Sequence, residues 1–404
     1  MFPSKPKIIV IGTGYVGLPA ALMWAKAGLP VVGVDINENI VKAINDRTLL
    51  LNEKELDELL HEPVVQQNLQ ASVTPVEGDV FVIAVPTPVH HLKKVADLSY
   101  VREAIKSIAP KLKKGNLVIV ESTIPPLTTK DLVKGLIEEL TSLKVPEDIF
   151  LAHCPERILP GDIFKEIIWN DRLIGGIDEA SAEYASYAYS FFVKGNLFKT
   201  SDTAAELSKL MENTYRDVNI ALANEFAMIC EDLEVSIHEV INFANKHPRV
   251  NILNPGIGVG GHCIPVDPWF LKEVAPYNSR LISMARMVND EMPARIAAKI
   301  RKAAKHISHP KIIALGATYK RNCEDIRESP ALQIIDELKT DGYDVQLYDP
   351  LVKGMEYHSV KDVITGADLV VILVNHDTIA ADIKSFVESA GNEIKIPAII
   401  NFDK

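Results

Sequence analysis

Residues 7–17 read KIIVIGTGYVG, a short apolar run that breaks into three spaced glycines just as a helical stretch begins. No other feature constrains the fold as much. An apolar run of this length, bounded by turn residues, suits a parallel strand buried on both faces. Gly12, Gly14 and Gly17 permit a tight turn, close approach of a pyrophosphate, and tight packing of the helix. The N-terminus of that helix favours an anion. GxGxxG alone is a weak signal, and a glycine turn in some other α/β protein would look the same. Here a second strand, VVGVD at 31–35, ends in Asp35 about twenty residues on. A carboxylate there accepts from the adenosine ribose hydroxyls and repels a 2′-phosphate, which favours NAD over NADP. Tyr15 and Val16, inside the motif, line the same expected site.

The pattern repeats along the chain. After a helical stretch around 15–27 and a polar, helix-like region at 37–61 come VFVIAVP at 80–86, LVIVEST at 117–123 and IFLAHCPE at 149–156. Strands alternating with helical segments predict βαβ units and a parallel sheet. From 203 the period changes: TAAELSKLMENTYRDVNIALANEFAMICEDL carries apolar residues at helical spacing with no Gly or Pro, and the chain stays mostly helical to about 305. KIIAL at 311–315, a helix near 329–341, VQLYDP at 345–350 and LVVILVN at 369–375 restore the strand pattern. The expected architecture is α/β: two Rossmann-like domains with parallel sheets, 1–200 and 306–404, joined by a helical domain at 201–305 with one long helix. The sequence ends on AIINFDK at 398–404, without the closing helix such a pattern leads one to expect.

With 404 residues, 47% hydrophobic and 24% charged, the chain reads as a soluble globular protein of two or three domains. Its 43 basic and 54 acidic residues give a net charge of −11, which argues against coating nucleic acid or anionic membrane. Residues 8–34 hold a single charge, Lys26, but seven Gly and Pro residues punctuate them, so no membrane insertion is expected. Cys154, Cys230, Cys263 and Cys323 are dispersed and form no CxxC pair, which points to a reducing, cytoplasmic setting.

The most informative segment is NPGIGVGGHCIPVDPWF at 254–270, where four glycines and three prolines make a shaped loop. Cys263 follows GGH, where bare backbone lets a substrate approach. A small buried hydrophobe is the commoner fate of a lone cysteine. The glycine loop and a nicotinamide fold elsewhere favour a chemical use: trapping an aldehyde as a thiohemiacetal that a second hydride loss converts to a thioester. Asp267, four residues on, is placed to hold a water or orient a proton transfer. His262 beside Cys263 raises a metal alternative, but there is no HxxxH and no paired CxxC, so no metal is expected.

Lys209, Asn213 and Arg216 fall at i, i+4 and i+7 on one face of the long helix. Spacing alone leaves two readings open: a solvated stripe, or donors from Lys209 and Asn213 aimed at a developing oxyanion.

Taken in order, GTGYVGLP, VPTP, EST, PER, the ELSKLMENTYRDVNIALANE helix, GVGGHCIPVDPWFL and TYKRNCEDIRESPAL resemble the UDP-glucose/GDP-mannose dehydrogenase family. The likeness covers nearly the whole chain. It implies two Rossmann-like domains around a helical dimerisation domain, a homodimer or higher homo-oligomer, and a UDP-sugar substrate. It also implies oxidation of a sugar C6 alcohol to a carboxylate with two NAD. PER, HPRVN at 247–251 and GHCIPVDPWF look most like the branch acting on UDP-N-acetylmannosamine; UDP-N-acetylglucosamine, UDP-glucose or GDP-mannose as substrate, a simple two-electron dehydrogenase, or a silent NAD-binding regulator are the alternatives.

By the same resemblance Cys263 is the nucleophile, Asp267 assists water or proton transfer, and Lys209 and Asn213 stabilise the oxyanion. Glu156 is a general acid/base, and Thr123 positions a water beside the reacting carbon and borders the cofactor. Thr87 and Arg327 line the NAD site, though for Arg327 a helix-flanking salt bridge is an equal reading. Glu156, Arg157, Arg216, His247, Gly260 and Lys320 join Lys209 and Asn213 on the substrate, with Arg249 reaching the sugar from a partner subunit. Family members acting on UDP-glucose carry a second glutamate where this chain has Pro160 in PERILPG, which argues against glucose. The early C-terminus is also atypical of the family, and the resemblance implies a further helix bordering the UDP site.

Overall fold

The computed structural model describes residues 2–48, 54–90, 92–157, 163–355, 359–389 and 397–403. The chain forms two compact units. One comprises Met1–Glu212 with Trp269–Ala275, the other Asn213–Pro268 with Pro276–Lys404.

The first unit is built on one sheet. Its strands are β1 (Ile8–Ile11), β2 (Val31–Val34), β3 (Leu69–Ser72), β4 (Val80–Ile83), β5 (Leu117–Val120), β6 (Phe150–His153), β7 (Arg172–Gly176) and β8 (Leu197–Ser201). They lie in the order β3-β2-β1-β4-β5-β6-β7-β8. Ile8 pairs with Val31 on one side and Val80 on the other, both in parallel register. β1 to β6 follow the doubly wound order, in which ligands bind beyond the carboxyl ends of the strands where the order reverses, here between β1 and β4.

Alternate residues of the strands feed two cores. Ile8, Val10, Val80, Val82 and Leu117 pack with Leu22, Trp24 and Tyr189. Ile9, Ile11, Phe81, Ile83 and Val118 pack with Ile105 and Ile137 on the other face. Covered on both sides, the strands need no polar alternation, which explains their near-continuous apolar sequence. The Trp24 indole N–H donates to the Ala188 carbonyl at 2.7 Å, so this large ring is buried with its polar atom satisfied.

Three strands depart from the expected pattern. β3 buries only Leu69, while β8 is an edge strand with an exposed Phe198. β7 begins on a charge and runs antiparallel to β6, so the sheet is not wholly parallel. The polar region at 37–61 contains two helices, Glu38–Asn45 and Lys54–Leu60.

The long helix Asp202–Asp232 spans 31 residues and runs from the first unit into the second. In the second unit it is followed by helices Ile237–Ala244 and Arg280–Ala304. Between the long helix and Arg280–Ala304 lies a polar core. The Arg286 guanidinium, 2% exposed, pairs with Asp217 and Asp290. Asn289 Nδ2 donates to the Asp217 carboxylate at 2.9 Å, and Asn224 Nδ2 donates to Asn289 Oδ1 at 2.9 Å. Four parallel strands follow: β9 (Lys311–Leu315), β10 (Asp344–Tyr348), β11 (Leu369–Ile372) and β12 (Ala398–Asn401), in the order β10-β9-β11-β12. Met292, Ile296 and Ile300 of helix Arg280–Ala304 bury against Ile312 and Ala314, tying the helical segment to this sheet.

Among the described residues no helix is long and apolar enough to cross a membrane, and no three His, Cys, Asp or Glu side chains gather as metal ligands.

Candidate active site

In the first unit the glycine turn leaves β1 with Gly12 at φ +89°, and its N–H donates to the Val34 carbonyl at 2.8 Å. A side chain at Gly12 would meet the Ala84 carbonyl oxygen at 2.5 Å, and one at Gly17 would meet the Gly12 oxygen at 1.9 Å. Nothing lies within 4 Å of the equivalent point at Gly14. Two of the glycines therefore serve packing, while the middle one faces open space through which a phosphate can reach the backbone. Val16 precedes helix Gly17–Lys26 and makes no side-chain cap, so the helix N-terminus keeps its anion-attracting character. Tyr15 stands half exposed.

Asp35 sits just beyond β2 with its carboxylate turned back to this loop. One oxygen accepts from the Thr13 N–H at 3.0 Å and the Thr13 hydroxyl at 3.1 Å; the other accepts from the Asn37 N–H at 3.0 Å. This fixed acceptor beside an open glycine turn fits NAD. Beyond β4 and β5, the Thr87 hydroxyl donates to the Thr123 carbonyl at 2.6 Å, and the Ser122 hydroxyl donates to the Val85 carbonyl at 2.7 Å. The two loops are thereby joined at the cofactor end of the sheet.

Glu156 follows β6, and its position depends on a buried network that sequence reading missed. The Arg172 guanidinium on β7 donates to Glu156 and, at 3.1 Å, to Glu121 beyond β5. It also lies over the Tyr189 ring at 4.4 Å, and the Tyr189 hydroxyl donates to Glu121. Burial pushes the Glu121 carboxyl up to about 7, against the opposing pull of Arg172. Arg157 Nη1 reaches Glu212 at 2.8 Å. Lys209 is 9% exposed, so it is not part of a solvated stripe. Burial and then the nearby Lys209 charge push the His153 imidazole down to about 3. His153 and Cys154 are both fully buried.

In the second unit, Asn213 and Asp267 are buried, and Asn213 Nδ2 donates to the Asp267 carboxylate. Arg216 donates to the other end of the same amide. The Cys263 carbonyl accepts from the Val266 N–H at 3.0 Å and the Asp267 N–H at 2.9 Å, one turn ahead of helix Asp267–Val274. Cys263, Asp267, Asn213 and Arg216 thus form one bonded cluster. The Cys263 Sγ lies 3.0 Å from His262 Nδ1.

The glycines before Cys263 pack against the 318–330 segment. A side chain at Gly260 would meet the Glu328 carbonyl oxygen at 2.5 Å, and one at Gly261 would meet the Tyr319 ring at 3.0 Å. The Gly261 N–H donates to the Arg327 carbonyl at 3.0 Å. Arg327 grips Asp325 through Nε at 3.0 Å and Nη2 at 2.6 Å, the salt bridge that was its second reading. Lys320 is exposed, and its carbonyl accepts from the Thr318 hydroxyl at 2.9 Å. His247 and Arg249 stand apart on an exposed turn, the Arg249 N–H donating to His247 Nδ1 at 3.3 Å. Pro160 lies outside the described residues.

Residues 6–193 match the NAD binding domain of the UDP-glucose/GDP-mannose dehydrogenase family, 203–291 its central domain, and 313–400 its UDP binding domain. The chain belongs to this family. It is 46% identical over 399 residues to a UDP-N-acetyl-D-mannosamine dehydrogenase of Methanocaldococcus jannaschii, covering 98% of this chain and 91% of the relative. The solved UDP-D-ManNAc dehydrogenase of Pyrococcus horikoshii superposes with a TM-score of 0.91 at 42% identity, covering 98% of this chain and 95% of that one. A UDP-N-acetyl-mannosamine dehydrogenase from Staphylococcus aureus gives 0.89 at 42% identity, with 98% of both chains covered.

Proposed function

We propose that this chain oxidises the C6 hydroxyl of UDP-N-acetylmannosamine to the carboxylate, giving UDP-N-acetylmannosaminuronate. One observation carries the reading: Cys263 stands on a glycine loop beside a buried Asp267–Asn213 pair, in a chain whose other unit holds a dinucleotide turn. The substrate follows the names of the relatives at 42–46% identity.

NAD, when bound, accepts a hydride from C6 in each of two oxidations. In the first, the hydroxyl proton leaves and an aldehyde forms. The Cys263 sulfur adds to the aldehyde carbon, and the carbonyl electron pair passes to oxygen, which Lys209 and Asn213 stabilise as donors. Loss of the second hydride and the hydroxyl proton leaves a thioester. Water positioned by Thr123 attacks it, Asp267 assisting the water or proton transfer and Glu156 acting as general acid/base, releasing the carboxylate and the thiol. Gly12, Gly14, Tyr15, Val16, Gly17, Asp35, Thr87, Thr123 and Arg327 serve the cofactor in this reading. Arg157, Arg216, His247, Arg249, Gly260 and Lys320 serve the sugar nucleotide.

The reading divides the chain into cofactor, helical and UDP-binding parts at 1–200, 201–305 and 306–404. It sets the enzyme in the cytoplasm, supplying acidic sugars for polysaccharide synthesis. It also holds that the chain is at least a homodimer. Met211, Tyr215, Leu222 and Ile229 are exposed and recur on one stripe of the long helix, a surface suited to a second copy.

The test is NADH formed per sugar nucleotide consumed. Two NADH per UDP-N-acetylmannosamine, with little turnover of UDP-glucose, supports the chemistry and the substrate. One NADH removes the thioester route, and two NADH from UDP-glucose alone overturns the substrate.

A further inference from the structure

We propose that His262 is the base that deprotonates Cys263, its Nδ1 taking the sulfhydryl proton so that the sulfur attacks as a thiolate beside an imidazolium. This rests on the reading of Cys263 as nucleophile.

The geometry is local and fixed at both ends. Nδ1 lies 3.0 Å from Sγ, within reach for direct proton transfer. Ahead of the pair, Gly261 holds a left-handed φ of +87° and its N–H is tied to the Arg327 carbonyl at 3.0 Å. Behind it, the Cys263 carbonyl accepts two N–H bonds from Val266 and Asp267. As an acceptor at Nδ1, the imidazole carries its proton on Nε2. In the step, the S–H bond breaks, its electron pair stays on sulfur, and an N–H bond forms at Nδ1. The thiolate then closes a C–S bond on the aldehyde carbon. No oxidant or co-reactant enters.

The surroundings suit the charge separation. Asp325 lies close enough to His262 to feel its charge. Burial raises its carboxyl, but the Arg327 hydrogen bonds and charge, with His262 adding, hold it below the usual carboxylate range. Asp325 is thus an anion beside the imidazolium, while the opposing Arg327 charge is engaged by that same carboxylate. Burial pushes the Tyr319 hydroxyl up to about 12, so the ring against Gly261 stays neutral. Cys323, whose thiol donates to the Lys320 carbonyl at 3.1 Å, and Asp267 at the following helix are further titratable groups in this unit. An ordinary thiol of pKa about 8.5 is roughly 1% thiolate at pH 6.5. A histidine partner raises that fraction severalfold or more.

The experiment is iodoacetamide alkylation of Cys263, read peptide by peptide by mass spectrometry from pH 5.5 to 9, in the full chain and in His262→Gln and Asp325→Asn. Peptide resolution separates Cys263 from the partly exposed Cys323. His262 is exposed, so the variant keeps the fold. The expected result is alkylation at pH 6.5 roughly tenfold or more faster in the unaltered chain than in His262→Gln, whose rate then climbs as an ordinary thiol near pH 8.5. Asp325→Asn should fall between them. Superimposable profiles for the unaltered chain and His262→Gln overturn the proposal. Cys263→Ser is the separate control: if it still forms acid, the nucleophile reading fails, while the alkylation profiles still report whether the pair exists.

Discussion

Replacing Arg172 with methionine tests the network beneath Glu156. The guanidinium is 5% exposed and sits between two carboxylates, Glu121 and Glu156, themselves nearly buried. Methionine keeps much of the volume but leaves two acids without their cation. Breaking a buried pair by removing one partner costs about 3–5 kcal/mol, because a buried charge loses its compensation. Glu121 escapes part of that cost by taking a proton, so the loss depends on pH. Burial already holds Glu121 at about 7 with Arg172 opposing; without Arg172 its carboxyl rises further. Between pH 7 and 8.5 the unaltered chain releases this proton and the variant does not. The extra destabilisation is then about 2 kcal/mol over that range.

Urea unfolding followed by tryptophan fluorescence reads this directly, because Trp24, Trp169 and Trp269 all belong to the first unit. Arg172→Met should cost about 3–5 kcal/mol at pH 8 and clearly less at pH 6.5. In a Glu121→Gln background the same substitution should cost less by at least about 1.5 kcal/mol, the coupling expected of residues in one network. Losses that agree within about 0.5 kcal/mol in both backgrounds, with no pH dependence, would refute the reasoning.

Asp35→Ala should weaken NAD binding by roughly tenfold to a hundredfold and relax discrimination against NADP, as measured by KM for each cofactor; an unaltered preference removes the role given to Asp35. Gly260→Ala should destabilise the second unit by about 1–3 kcal/mol in thermal unfolding, since its Cβ would stand 2.5 Å from the Glu328 carbonyl oxygen, and should slow acid formation. Burial raises the Glu206 carboxyl to about 7 even though it accepts from the Leu127 and Thr129 N–H groups and the Thr129 hydroxyl. Its folded value lies above the unfolded one, so this group adds stability as pH falls and loses it as pH rises through about 7. Replacing it with Gln should flatten the stability curve between pH 5.5 and 7.5 by about 2 kcal/mol; an unchanged slope contradicts the assignment.

Legibility in the sequence followed the range of the interactions. β1, β4, β5 and β9 were readable because burial on both faces forces consecutive apolar residues. β7 was not, because its first residue is Arg172, whose burial makes sense only once Glu121, 51 residues earlier, is beside it. The glycine loop announced itself through composition, yet composition gave no reason for Gly260 and Gly261. That reason is the close approach of Tyr319 and Glu328, 59 and 68 residues after Gly260. The bond between His262 and Cys263 was missed differently. Adjacency in sequence does not say whether two side chains meet; here they do, at 3.0 Å, between the left-handed Gly261 and the turn after Cys263.

The same contacts explain why a cysteine needs this much scaffolding. In the proposed route, a nucleophile that holds the carbon from thiohemiacetal to thioester and through hydrolysis gains from a backbone that does not drift between those steps. Within the second unit the loop is tied at three points. Gly256 N–H donates to Asn224 Oδ1 at 2.9 Å, Gly261 N–H donates to the Arg327 carbonyl at 3.0 Å, and the Cys263 carbonyl accepts from Asp267 at 2.9 Å. The first tie is itself anchored through Asn289 to Asp217 and Arg286 in the polar core between the two long helices. An apolar core there would pack the helices equally well but offer no fixed amide oxygen to the start of the loop. The buried ion pair is then a positional device: it orients Asn289, which orients Asn224, which sets where the glycine loop begins.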